Sequence, residues 1–177
     1  KLRKEGDNAM RKILPPFCPA VIKALLIAVP LFLASCAGLQ EKPVSPFVIE
    51  GLSSPESVIA TNDGKRFFIS NLGEKLEPSA KDGDGYITEV SPDGSVISKK
   101  FLPKNGKLNG PKGMAIIGSI LYVTDVDRVV GFDINTREQV FEMDMSATQT
   151  VFLNDLAVFD DKTLFVSASD IGKIFKI

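Results

Sequence analysis

The chain contains no histidine and no tryptophan. Without an imidazole it can hold neither a Ser-His-Asp triad, nor a Cys-His dyad, nor a histidine-bound zinc ion. Cysteine is nearly as scarce, and the two present, Cys18 and Cys36, both fall in an apolar N-terminal stretch. Beyond Cys36 the chain can therefore form no internal disulfide and no thiolate metal site. An excess of charge of either sign is missing too. The 21 Lys and Arg against 22 Asp and Glu leave a formal net charge of −1. After residue 40 the two signs are interspersed, so there is no basic stripe to follow a phosphate backbone, and nucleic acid drops out as a partner.

A helical pattern is absent from the stretch on which the rest is read, residues 111–133. It holds three short runs of β-branched, aliphatic and aromatic residues, 114–117, 120–124 and 128–132, separated by Gly118-Ser119 and Asp125-Val126-Asp127. Runs so short and so closely punctuated are strands joined by tight turns, since Val, Ile and Tyr pack well on a pleated surface and lose rotamer freedom in a helix. The same order occurs before it: residues 56–60, the turn Asn62-Asp63-Gly64, residues 66–70, a longer connection, residues 86–90, the turn Pro92-Asp93-Gly94, and residues 96–101. Asn-Asp-Gly and Pro-Asp-Gly are hairpin chemistry, with glycine supplying the left-handed position. A third copy runs from residue 156 through the turn Asp160-Asp161-Lys162 to residue 177 and is one strand short.

Aligned on their first strands, Val58, Met114 and Leu156 correspond. The second and third copies are about 42 residues apart, the period of a four-stranded propeller blade, and the first interval is longer by about the length of the 71–84 connection. The expected fold is all-β: a β-propeller of four-stranded antiparallel blades, about three present of an expected six, over residues 47–177. A β-sandwich or open meander also suits a dozen short strands, but gives no reason for a four-strand order to recur. Residues 47–50 are expected to be a strand completing the last blade. Two and three-quarter blades do not close a ring, so the sequence is expected to be a piece of a longer protein.

The N-terminal region reads as an address. Residues 1–9 are polar and patternless and are expected to be an upstream artefact, with Met10 the true start. Arg11 and Lys12 then form a positive region, and residues 24–33 an apolar one. Small residues close the run, making residues 10–36 a secretory signal. Leu33-Ala34-Ser35-Cys36 resembles the bacterial lipoprotein lipobox, which implies lipidation of Cys36, a membrane tether through its acyl chains, and location in the cell envelope. Ala37 after the cysteine implies the outer membrane. An ordinary signal peptide with a chance cysteine, or a membrane-spanning anchor, is the alternative. Residues 37–46, polar and proline-containing, read as a tether.

Three segments carry a second resemblance: residues 51–58, the Gly113-Met114-Ala115 opening, and Leu153-Asn154-Asp155-Leu156-Ala157-Val158 followed by a Leu-Phe-Val-Ser strand. Their order resembles the senescence-marker-protein/gluconolactonase family, six-bladed propellers that overlap in pattern with NHL-repeat proteins. The resemblance implies a divalent cation, usually calcium, on the propeller axis, where hard oxygen ligands hold it and it polarises a lactone carbonyl or activates water. It implies Glu56 as a metal ligand and Asn154 and Asp155 as substrate-binding residues. Leu156 stands where the family often has glycine, Phe152 where it has an arginine, and the remaining ligands would come from blades after Ile177. Glu56 equally suits a solvated loop carboxylate, and Asn154-Asp155 a turn pair bonding its own backbone. The function implied is metal-dependent hydrolysis of a lactone or related ester. The alternative is a non-catalytic, NHL-like module binding a protein or an envelope ligand.

Two further acidic clusters carry no site. In Asp82-Gly83-Asp84-Gly85-Tyr86-Ile87, tyrosine and isoleucine occupy the third ligand and the glycine position of an EF-hand loop, so that motif is rejected. Asp125-Val126-Asp127 reads as a turn.

Overall fold

The computed structural model describes residues 46–177. The signal region, Cys36 and most of the tether lie outside the described residues.

Turn chemistry sets the outline. Between β1 (Pro55–Ala60) and β2 (Phe67–Asn71) the chain reverses at Gly64, with φ of 65°, while Asp63 Oδ1 accepts from Thr61 Oγ1 at 2.6 Å and from the Lys65 amide at 3.1 Å. The same device joins β3 (Tyr86–Val90) to β4 (Val96–Leu102): Gly94 has φ of 87°, and Asp93 accepts from Ser91 Oγ and the Ser95 amide. These four strands form an antiparallel sheet in chain order. A second sheet repeats the order with β5 (Pro111–Ile117), β6 (Ile120–Asp125), β7 (Arg128–Asp133) and β8 (Gln139–Asp144). After one 3₁₀ turn, Ser146–Thr148, a third sheet comprises β9 (Leu153–Asp160), β10 (Thr163–Ala168) and β11 (Lys173–Lys176). Over the described residues the fold is all-β and antiparallel, in two four-stranded sheets and one of three.

The sheets stack face to face, with the first strand of each beside the next, so that β5 lies against both β1 and β9. Period-two alternation divides the core. In the middle sheet Leu121, Val123, Val130 and Phe132 point toward the first sheet and join Phe68 and Ile87. Tyr122, Val129, Phe141 and Met143 point the other way, toward Leu153 and Val166 of the third sheet. A strand with both faces covered is apolar on both, and β7 is accordingly buried along most of its length. In β10 burial alternates, as for a sheet covered on one side. Each aliphatic side chain fully buried here contributes about 1.5–3 kcal/mol.

Residues 47–50, expected as a strand, form none. Gly51 has φ of 77° and Ser54 of 51°, and the segment crosses the open face of the first sheet. Phe47 and Ile49 line a groove there of about 340 Å³ with Val58 and Ile69. The Phe47 ring lies where a side chain on Gly94 would go. These apolar residues cover a sheet face, and the last blade they were expected to complete is not among the described residues.

Contact between the second and third sheets depends on Gly113. A Cβ at that position would overlap the Asn154 carbonyl oxygen and lie 2.6 Å from Asp155 Cα, which are backbone atoms that cannot swing aside. Gly113→Ala is therefore expected to cost about 1–3 kcal/mol. The check is a lower urea midpoint with an unchanged slope; an unaltered midpoint would show that the strands are not so close.

Candidate functional site

The first strand of each sheet opens on the same irregularity. Pro55 pairs with Asn71 and Val58 with Ile69, so three steps along β1 match two along β2. Pro111 and Met114 stand in the same relation to Asp125 and Val123, and Leu153 and Leu156 to Ala168 and Val166. The correspondence of Val58, Met114 and Leu156 read from the sequence is thus the observed register. Each opening is a β-bulge, a device that bends a strand and re-aims side chains. The bulged pairs are Glu56-Ser57, Lys112-Gly113 and Asn154-Asp155, so all three residues singled out in the sequence lie within bulges.

A bulge frees backbone groups from the ladder, and the second strand of each sheet supplies partners for them. Ser70 Oγ accepts from the Ser57 amide at 3.0 Å, and Ser167 Oγ from the Asp155 amide at 2.9 Å. The hydroxyl of Thr124, at the same register position, donates instead to the Asn154 carbonyl at 2.7 Å, with the Gly113 carbonyl at 3.3 Å, and so ties the second sheet to the third. One position further on, Asn71 Oδ1 accepts from the Ser53 amide at 3.1 Å. Asp125 Oδ1 accepts from the Asn109 and Gly110 amides, both at 2.8 Å. The third sheet has Ala168 there, and Asp170 takes the duty by accepting from the Val151 amide at 2.7 Å. That amide holds the Asp170 carboxyl below the usual carboxylate range.

With its loops pinned in this way, the end of the stack brings Glu56, Lys112 and Asp155 together, one from each sheet. Lys112 is fully buried. Its Nζ donates to the Gly110 carbonyl at 2.9 Å and lies 5.0 Å from the centre of the Phe152 ring. Burial pulls its pKa down to about 8, against the opposing pull of Asp125, Glu56 and Asp170. Glu56 is pushed up from the ordinary carboxylate value by partial burial and then by the like charge of Asp155, while Lys112 opposes both. Glu56 and Asp155 remain exposed, and Asn154 is half-buried.

Asp125 belongs to the scaffold. Fully buried, it accepts from Arg128 Nη2 at 2.8 Å as well as from the two amides, so the reading of Asp125-Val126-Asp127 as a turn holds, with Val126 at φ 58°. Asp84 likewise accepts from the Glu74 amide at 2.9 Å within its loop.

Lys112 was the residue that sequence reading missed. The available signal was its register with Glu56, together with the aromatic Phe152 that covers it.

A calcium ion takes six to eight oxygen ligands. Two carboxylates and one amide fall short of that. Among the described residues no group of three or more His, Cys, Asp or Glu side chains is placed to hold a metal ion. The described residues therefore do not by themselves make a calcium site.

The depressed pKa of Lys112 has a consequence for stability. Between about 8 and the ordinary 10.5 the unfolded chain keeps a proton that the folded chain has released, so this group makes stability rise with pH across that window. Lys112→Met removes the titration. Urea unfolding should show the wild type gaining on the variant between about pH 8 and pH 10, whereas a constant difference would contradict the burial of the ammonium.

No protein-family model matches the chain, and no curated protein matches it. Among solved structures it is similar to hydrazine synthase of Kuenenia stuttgartiensis, with a TM-score of 0.51 and 22% identity, over 75% of this chain and 34% of that one. The chain spans about a third of the length of that neighbour. A likeness at this identity shows a shared all-β fold.

Proposed function

We propose that the protein is a lipid-anchored envelope protein whose three sheets are blades of a β-propeller, of an expected six, in the gluconolactonase-like class. Its mouth, at the openings of β1, β5 and β9, binds a small hydroxyl-bearing molecule. The observation that carries this reading is the threefold recurrence of the bulged opening, which delivers Glu56, Lys112 and Asn154-Asp155 to one end of the stack. A scaffold under packing constraint alone has no need to place a carboxylate, a buried ammonium and an amide side chain at equivalent positions of adjacent sheets, with the Asp155 carboxylate next to the third. Exposed carboxylates accept hydrogen bonds from ligand hydroxyls, and the Asn154 amide can both donate and accept. A stack of repeated sheets also explains how strands with short, protected edges bury a continuous core.

A second reading is hydrolysis of a lactone with a divalent cation at Glu56. It is favoured by the proximity of the like-charged Glu56 and Asp155. The two readings are separated by one set of experiments on the full chain. A panel of aldonolactones and aldonic acids is screened by thermal shift, with and without calcium, alongside Glu56→Gln and Asp155→Asn. The binding reading expects at least one compound to raise the melting temperature without calcium, with the shift lost in both variants. Calcium-dependent hydrolysis abolished by Glu56→Gln would establish the second reading instead. No shift and no hydrolysis across the panel would sink both.

Anchoring is tested separately. In a bacterial host, Cys36→Ser should abolish incorporation of labelled palmitate and release the protein from the membrane fraction. Unchanged labelling would show that Cys36 is not the acylated residue.

A further inference from the structure

The three sheets present equivalent apolar side chains at equivalent register positions. Val58 pairs with Ile69, Met114 with Val123 and Leu156 with Val166, and each pair stands on the back of its sheet. On the front stand Phe68, Tyr122 and Phe165, one residue along, with Ile87, Val129 and Ile174 from the neighbouring strand. Every junction in the stack joins a front to a back. Phe68 and Ile87 meet Met114 and Val123 between the first two sheets, and Tyr122 and Val129 meet Leu156 and Val166 between the second and third. One front and one back are left over, at opposite ends of the stack. Ile87 and Val129 are 0% exposed, whereas Ile174 is 67% exposed; Met114 is 7% exposed, whereas Val58 is 63% exposed. The free front holds a groove of about 390 Å³ lined by Ala157, Phe165 and Ile174. On the free back, Phe47 and Ile49 lie against Ile69 and leave Val58 open. Among the described residues no backbone hydrogen bond fixes residues 47–50, so that cover rests on side-chain contact and an incoming sheet can displace it.

Each free face therefore has its mate on the same molecule, at the far end of the stack with the second sheet between. From this register we propose that the occupant is a second copy of the chain: the back of each copy's first sheet docks on the front of the other's third sheet. Two such junctions, repeating those already present within the stack, join two three-sheet stacks into a ring of six. A front-to-back contact is heterologous, and it ends at two copies where the rotation closes. Closure at six sheets rests on the reading of the sheets as propeller blades, whereas the pairing of the faces rests on the register alone. The driving force is removal of Val58, Phe165 and Ile174 from water.

The test is sedimentation equilibrium of the full chain in detergent, with Val58→Asp and Ile174→Asp, both at positions exposed in the single copy. Wild type should form a dimer that does not grow with concentration, and each substitution should weaken it at least tenfold. Each variant alone places an aspartate in both junctions. A mixture of the two variants keeps one junction with both natural faces, so it should pair more tightly than either variant alone. A monomeric wild type would overturn the proposal and leave the faces to other occupants, such as further sheets of a longer chain. Growth beyond two copies would overturn closure. Weakening by only one of the substitutions, or no gain on mixing, would overturn the front-to-back pairing. Association through the apolar N-terminal region would leave both substitutions without effect and overturn it too. Should a variant not fold, the association state of the wild type and of the other variant decides. Failure of the lactone panel would remove the ligand reading and leave this pairing standing.

Discussion

An extra residue at the start of the first strand of each sheet is the constraint on which the remainder of the structure depends. The bulge lets neighbouring first strands approach each other closely, and it frees backbone groups that cannot be left unpaired where water is excluded. The first two sheets answer with the same two positions at the end of the second strand, and the third with one of them and with Asp170 from the turn after β10. A hydroxyl, from Ser70, Thr124 or Ser167, engages the bulged backbone. An amide or carboxylate, from Asn71, Asp125 or Asp170, holds the incoming loop. The Thr124 hydroxyl departs from the pattern usefully, reaching across to the Asn154 carbonyl and converting a bond within a sheet into one between sheets.

The same constraint produces the charged mouth. A residue inside a bulge is steered out of the regular alternation of the strand, so what stands at that position is decided by the space at the end of the stack more than by the pleat. In the second sheet the space is roofed by Phe152, and a lysine extends beneath it to the Gly110 carbonyl. Its charge is held by carboxylates supplied from three different strands and turns, two of which already serve the loop-pinning network. Binding chemistry and fold stability therefore share side chains at this end. At the opposite end Arg66 is purely a clamp, pairing with Glu89, donating to the Ile134 carbonyl and lying over Phe68 and Phe101 to lock the first two sheets together.

Much of the fold was legible in the residues because local chemistry and tertiary demand agree there. Asn-Asp-Gly and Pro-Asp-Gly have one economical backbone solution, and the strands they join follow in the order read. The 42-residue repeat survives as a register of Val58, Met114 and Leu156. Residues 47–50 form no strand and lie across the face of the first sheet, because an apolar run satisfies a sheet face as well as a strand, and the last blade they were expected to complete is not among the described residues. The opening of β9 at Leu153, ahead of the expected Leu156, was hidden because a bulge breaks the alternation that marks a strand. Glu56 and Asn154-Asp155 were found as motif residues, but that they meet Lys112 depends on packing between sheets. A lysine in a strand is ordinarily a solvated side chain, whereas this one is buried with its ammonium on the Gly110 carbonyl and near the Phe152 ring.

The central claim is that Glu56 and Lys112, 56 positions apart in the chain, meet at one mouth. A double-mutant cycle over Glu56→Gln and Lys112→Met, read by urea denaturation at neutral pH and low salt, measures that proximity directly. The account predicts a favourable coupling of more than about 0.5 kcal/mol, outside the range in which independent sites add. A coupling indistinguishable from zero would contradict it.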